Sequence, residues 1–338
     1  MKKVNKVIAG LIISIMSFAN FAHAQDTFFS DVPQSHQNYI AIKYLNAQGI
    51  LKGYDDNTFK PEQKVNRAEA LKIILAGTGI EVPEVTEGVT FTDVKSTDWF
   101  SKYIIKAKDL GIVSGNPDGT FAPSRTVARS EFIKMLLMAN GFKTENWLGK
   151  EMFNDVPKDA WFNPYMNYAG EAGLIVKDDQ NNLYPSQELT RGEVAEILYL
   201  MTVIRKGGDT QFLLDQAEAE MAQIEIYIGA SQPLYAKRAS ELSVDMTQQA
   251  YKNLPDNNIV IGAAKLARAY DFLMNAFILA IQKKNDEAIQ WANQAIAKAT
   301  EAWEANNELQ PICKHIKDRA NEILTQLGTT TQEVTPAT

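Results

Sequence analysis

The chain is 338 residues long, with a formal net charge of −7 at pH 7, 45% hydrophobic and 22% charged residues, and one cysteine. An acidic balance excludes nucleic acid or an anionic membrane as the main partner, because such a contact would have to overcome the overall field. The single Cys313 excludes an intramolecular disulfide and reads as a small buried hydrophobe on a helix rather than a reactive thiol.

Lys2, Lys3 and Lys6 precede an apolar run from Val7 to Phe21, and Ala22-His23-Ala24 follows as a small-x-small site ahead of Gln25. This is the layout of a secretory signal peptide over residues 1–24. An apolar run of about 15 residues is shorter than the roughly 20 of a spanning helix. No cysteine stands at the cleavage site, so a lipoprotein is not expected. Losing the three lysines moves the net charge from −7 to −10. The chain is expected to be exported, to the cell wall, the cell surface or the periplasmic face of the envelope. The remaining length suffices for two domains with cores of their own.

Three stretches then read alike at a fixed spacing of 62 residues, with no insertion or deletion. Phe29-Ser30-Asp31-Val32 recurs as Phe91-Thr92-Asp93-Val94 and as Phe153-Asn154-Asp155-Val156. Gly49, Gly111 and Gly173 keep the register, as do Pro61, Pro123 and Pro185. Arg67, Arg129 and Arg191 keep it too, each two residues ahead of an acid: Glu69, Glu131 and Glu193. Such a period marks a supersecondary unit that needs its neighbours to bury an apolar face.

The repeats are assigned to residues 28–80, 90–142 and 152–205, each as helix, turn-rich loop, helix. In the second, Trp99, Tyr103, Ile104, Ala107 and Leu110 recur at helical spacing and end at Gly111, a C′ cap. The loop through Gly115 and Asp118-Gly119 is turn chemistry flanked by short extended pieces. A second helix spans about Arg129 to Ala139, with Phe132, Ile133, Leu136 and Leu137 on its apolar side. Asn66-Arg67-Ala68-Glu69 and Thr190-Arg191-Gly192-Glu193 spell capping boxes. Ala128 offers no cap, which typically costs about 1 kcal/mol unless Thr126 or Ser130 substitutes.

Phe-x-Asp-Val, a Trp or Tyr region, Gly-Ile, Gly-x-x-Asp-Gly-Thr-Phe-x-Pro and Thr-Arg-Ala-Glu, repeated three times over residues 28–205, resemble surface-layer homology (SLH) repeats. The resemblance implies a pseudo-threefold helical prism with short loops or strands, first helices packed centrally and grooves between adjacent repeats. It also implies non-covalent binding of a cell-wall polysaccharide, often a pyruvylated secondary polymer linked to peptidoglycan. Self-association is a further expectation for a surface protein of this kind.

The residue chemistry agrees. A pyruvate ketal presents a carboxylate, and a guanidinium at a helix start adds forked donors to free amides and a positive dipole end. The candidate ligand-binding residues are therefore Arg67, Arg129 and Arg191, with Trp99 and Trp161 as flat faces for a sugar ring and Gly53 and Gly115 in the adjoining loops. A second reading stands beside each: the arginines pair with acids between repeats, and the tryptophans belong to the core. Asp31, Asp93 and Asp155 are expected to cap the first helix or a turn. The copies are unequal, because Gln37 stands where the others have Trp99 and Trp161, and Lys177 replaces the loop glycine. Fewer than three working grooves are expected, the best joining the repeat-two loop to a neighbouring arginine. Asp55-Asp56-Asn57 and Asp178-Asp179 lack EF-hand spacing, so turns rather than calcium are expected, and no metal or cofactor.

Residues 204–209 read as a linker or helix end. Beyond them, Leu214, Ala217, Met221, Ile224 and Ile228 follow a three-four spacing. So do Leu266, Tyr270, Leu273, Phe277 and Ala280, and Ile289, Ala292, Ile296, Ala299 and Trp303. Further helices are predicted near 234–254 and 312–327, with breaks at Gly229, Pro233, Pro255 and Pro311. Residues 209–328 are thus expected to form an antiparallel helical bundle or a solenoid fragment, with a faint tetratricopeptide flavour at 264–307. The Thr-rich end, 329–338, reads as a disordered tail.

The expected function is anchoring to wall glycan through the repeats, with the bundle as spacer or as a module for a protein partner. The alternatives are a wall-anchored glycan-active enzyme and an adaptor that recruits an envelope partner. Past the signal, the only histidines are His36 and His315. Gly-x-Ser-x-Gly, His-Glu-x-x-His and phosphate-loop motifs are absent, so no catalytic residue is assigned.

Overall fold

The computed structural model describes residues 28–84 and 90–329. The proposed signal peptide, and the tail beyond Thr329, lie outside them. The described chain is mainly helical, with eleven α-helices and isolated β-bridges in place of a sheet. No described helix is long and apolar enough to cross a membrane. Two compact units divide the chain: one holds residues 38–202 with the segment ending at Val32, and the other holds 33–37 and the chain from Val203 onward.

The first unit contains six helices in pairs: α1 (Tyr39–Ala47) and α2 (Arg67–Thr78), α3 (Ser101–Asp109) and α4 (Arg129–Ala139), α5 (Asn163–Glu171) and α6 (Arg191–Arg205). The first helix of each pair stops at Gly49, Gly111 or Gly173, with φ of 70°, 69° and 72°. Amides of the next residues, Ile50, Ile112 and Leu174, donate back to the carbonyls of Leu45, Ala107 and Ala169. That is the Schellman closure, for which a residue without Cβ is best suited. At the second helices, Asn66 and Glu69 exchange reciprocal bonds of 2.9 and 3.0 Å, and Thr190 and Glu193 bonds of 3.2 and 2.8 Å. At Ala128 only the return half remains, its amide donating to Glu131 Oε2 at 3.0 Å.

Backbone hydrogen bonds link the three pairs into a closed ring. The Val65 amide donates to Leu189, Leu189 to Val127, and Val127 to Val65, at 3.0, 3.2 and 2.9 Å. All three side chains are fully buried. The opening amides of α2, α4 and α6 are tied in the opposite cyclic sense, each to the next repeat: Arg67 to Arg125, Arg129 to Gln187, Arg191 to Gln63. The following amides, on Ala68, Ser130 and Gly192, reach Pro123, Pro185 and Pro61. These helix starts therefore do not offer the free amides expected beside the arginines. A neighbouring repeat's carbonyls occupy them, because buried helix ends need partners.

The aspartates of Phe-x-Asp-Val hold a turn. Asp31 accepts from the amides of Phe59 and Lys60, both at 2.7 Å. Asp93 accepts from Phe121 and Ala122 at 2.8 and 2.7 Å, and Asp155 from Leu183 and Tyr184 at 2.9 and 2.6 Å. Lys60, Ala122 and Tyr184 adopt φ of 58°, 59° and 53°. That left-handed conformation costs a non-glycine residue roughly 1–2 kcal/mol, and the carboxylate's two bonds offset it. The acid-rich loops are turns as well, with Asp56 Oδ1 accepting from the Thr58 amide and Asp178 Oδ1 from those of Gln180 and Asn182.

The second unit holds α7 (Thr210–Gly229), α8 (Pro233–Asn253), α9 (Asn258–Ile281), α10 (Asn285–Ala305) and α11 (Gln310–Gln326). Asp209 caps α7 through the Phe212 amide at 3.1 Å. Pro233 and Pro311 lie in the first turns of α8 and α11, so they start helices rather than break them; at that position the missing amide costs nothing. The turn between α9 and α10 contains neither Gly nor Pro and is made by Lys283 at φ 61°. The core runs through Ile224, Tyr270, Leu273, Ile296 and Ile316, with Ala267, Ala292, Ala295 and Ala299 letting α9 and α10 approach closely. Cys313 is wholly buried there, and burial pushes its thiol up to about 12.

An ion pair joins the first and last helices of this unit: His315 Nε2 lies 2.9 Å from Glu225 Oε1. The bond to Glu225 raises the His315 pKa above its ordinary value. Burial pushes the Glu225 carboxyl up, but the bond and charge of His315, with Arg319, outweigh it and leave it lowered. The pair's contribution is therefore lost as pH rises through the raised pKa of His315, and lost again as pH falls through the lowered pKa of Glu225. Both side chains are more than a third exposed, so solvent screening holds the contribution to about 0.5 kcal/mol. As pH rises above about 6.5, the ordinary histidine value, the wild-type melting temperature should fall relative to that of His315→Gln. Melting temperatures that stay parallel as pH rises would show that the pair contributes nothing.

Candidate functional site

Each of the three arginines reaches from its own repeat into the loop of the next. Arg67 Nε donates to the Phe121 carbonyl at 3.0 Å, and its guanidinium lies over the Phe121 ring. Its outer nitrogen pairs with Glu131 at 3.0 Å. Arg129 donates to the Leu183 carbonyl at 2.6 Å and pairs with Glu193 at 3.3 Å, while its buried Nε has no acceptor. Arg191 closes the cycle, donating to the carbonyls of Phe59 and Lys52 at 2.9 and 3.1 Å and lying over the rings of Tyr54 and Phe59. Among the described residues, Arg191 alone of the three has no carboxylate at ion-pair distance. Arg67 and Arg129 thus have the geometry of ties between repeats, and burial lowers the pKa of both guanidiniums against the pull of Glu131 and Glu193.

Trp99 and Trp161 precede α3 and α5 and are 52% and 54% exposed, so they are not core residues. Each faces a lysine from the second helix of the preceding repeat. Lys72 Nζ lies 5.4 Å from the Trp99 ring centroid, and Lys134 Nζ lies 5.3 Å from that of Trp161. An exposed indole beside an ammonium offers an apolar face and a cation in one place. The same register puts Gln37 and Glu196 at the third position, where Asn38 Nδ2 donates to Glu196 Oε2 at 3.4 Å. The lysines escaped the sequence reading although Lys72 and Lys134 are 62 residues apart. Nothing in the sequence said that one repeat's second helix faces the entry to the next repeat's first.

Gly53 and Gly115 are places of close approach rather than flexible hinges. A Cβ on either would come within 2.2 Å of the Phe29 or Phe91 ring, and Gly115 also has φ of 78°. Repeat three resolves its Lys177 by moving the contact. The Phe153 ring lies against Gly170 of α5, where a Cβ would sit 2.4 Å from Cζ, and Lys177 Nζ folds over its own loop to Asn181 Oδ1 at 2.8 Å.

The S-layer homology domain model matches residues 28–71, 90–133 and 153–195. The chain is 32% identical over 161 residues to Cell surface glycoprotein 1 of Acetivibrio thermocellus, covering 45% of this chain and 7% of that protein. It is 28% identical over 243 residues to S-layer protein EA1 of Bacillus anthracis, covering 71% of this chain and 27% of that one. An Amylopullulanase of Thermoanaerobacterium thermosulfurigenes matches at 28% over 204 residues, 58% of this chain and 11% of the relative. The alignments thus span less than a third of each of these relatives.

Proposed function

The chain carries three S-layer homology domains, and from that premise we propose that it is held non-covalently on an anionic cell-wall polysaccharide through the grooves between its repeats. The exposed pairs Lys72–Trp99 and Lys134–Trp161 carry this reading: the indole lies along the apolar face of a sugar ring, and the ammonium meets an acidic substituent such as a pyruvate ketal. Arg191, the guanidinium unmatched by a carboxylate, supplies a third cation toward the repeat-one loop. With Gln37 and Glu196 in place of the Trp–Lys pair, the third groove lacks this combination, so one or two ligands bind per chain. Helices α7–α11 serve as a spacer or as the docking module for a protein partner. The exported chain belongs at the cell surface.

Sedimentation of the full chain with wall sacculi tests the reading. Binding is expected before removal of the secondary polymer and lost after it. Trp161→Ala and Trp99→Ala should each weaken binding with little change in melting temperature, since both rings are exposed. Undiminished binding to stripped sacculi would sink the proposal. The Amylopullulanase match keeps wall-anchored glycan hydrolysis as a second reading, which release of reducing sugar from the polymer by the pure chain would establish.

A further inference from the structure

Past the Trp161–Lys134 pair, a run of partly buried rings lies between repeats two and three. Tyr165, in the first turn of α5, stands 6.1 Å from Phe142, and Phe142 stands 4.7 Å from Tyr168. Tyr168 meets Trp147 edge-on at 5.4 Å, and Lys150 Nζ sits 4.4 Å from the Trp147 ring centroid. Trp147 and Lys150 belong to the segment connecting the two repeats, and α5 pins that segment. Asn163 Oδ1 accepts from the Gly149 amide at 3.0 Å, and the side-chain amides of Asn163 and Asn167 donate to the Lys150 carbonyl at 2.9 and 3.0 Å. Both asparagines are buried.

The 62-residue register has no counterpart between repeats one and two. Trp147 corresponds to Val85, Lys150 to Gly88, and the pinning asparagines to Ser101 and Ile105. The strip is therefore not something the repeat needs in order to fold. It is an aromatic track with an ammonium at each end, Lys134 and Lys150, on a chain whose net charge is −7. Placing cations there against the overall charge is complementarity to an anionic, ring-bearing chain.

We propose that Trp147 and Lys150 form a second subsite for the same glycan, so that this groove takes an acidic oligosaccharide rather than a single terminal residue; the proposal rests on the anchoring reading. The rings between the two lysines carry the apolar faces of successive sugars, and Lys150 meets an acidic substituent further along the polymer.

Calorimetric titration of the full chain with size-fractionated wall oligosaccharides, disaccharide to octasaccharide, is the test. Wild-type affinity should rise about tenfold with length, equivalent to about 1.4 kcal/mol. Trp147→Ala and, separately, Lys150→Gln should lose that rise and keep the disaccharide affinity. Unchanged length dependence in Lys150→Gln, whose side chain is exposed and dispensable for folding, overturns the proposal even if Trp147→Ala melts early. A wild-type chain that binds disaccharide and octasaccharide equally overturns the subsite alone. One that binds no fragment of any length removes the anchoring reading with it.

Discussion

Arg67→Ala should lower the stability of the three-repeat unit by about 3 kcal/mol, the low end of the range for breaking a buried ion pair. The residue is 7% exposed, and its loss leaves the Phe121 carbonyl and one side of Glu131 without their donors. Glu131 keeps Arg125 at 2.6 Å and the Ala128 amide, which is why the cost stays at the low end. Arg191→Ala is the control. It forfeits two bonds to carbonyls but no ion pair, so about 1–2 kcal/mol is expected. Urea unfolding of the two variants separates the cases. Because backbone bonds run cyclically through all three repeats, each variant should still unfold in one transition. A larger loss for Arg191→Ala than for Arg67→Ala would mean that the carboxylate pairing does not set the order.

The second large effect concerns the glycines under the phenylalanine rings. Gly115→Ala should cost about 2–4 kcal/mol, combining overpacking against Phe91 with a left-handed backbone that alanine disfavours. More telling is Gly170→Ala. A glycine inside a helix normally gains up to about 1 kcal/mol on replacement by alanine. Here the new methyl would meet the Phe153 ring and Leu183, so destabilisation is expected instead. Lys177→Gly, at the register position of Gly53 and Gly115, should be nearly neutral because the ring has already moved away. Thermal melts of the three variants suffice, and a Gly170→Ala protein that melts higher than wild type would refute the exchange of contacts.

The elements legible in the sequence were those set by local chemistry. Glycine at the end of each first helix, the Asn66 and Thr190 capping boxes and the three-four spacing of the later helices each depend on a few adjacent residues, and the helices follow them. What the sequence did not reveal depends on which repeat faces which. Arg67 and Arg191 occupy the same register position, yet one is neutralised by Glu131 and the other meets carbonyls and ring faces without a carboxylate. The exposure of Trp99 was also hidden, because its spacing from Tyr103 suits a helix that in fact begins only at Ser101. Pro311, by contrast, is legible for a local reason: the helix predicted near 312–327 runs from Gln310 to Gln326, with the proline in its first turn.

The cyclic order of the Val65, Val127 and Leu189 bonds fixes how many copies the architecture tolerates. An open stack of repeats can grow or shrink by one unit and leave its interior untouched. Here a two-copy chain would strand one donor and one acceptor at the centre, and a fourth copy would find no vacancy to enter. Copy number is therefore a property of closure, and duplication or loss of a single unit is an all-or-nothing event for such a chain. The copies remain free to drift apart in sequence, provided that each change is answered across the seam or within the same copy. Lys177 with Gly170 is one change of this kind, already answered.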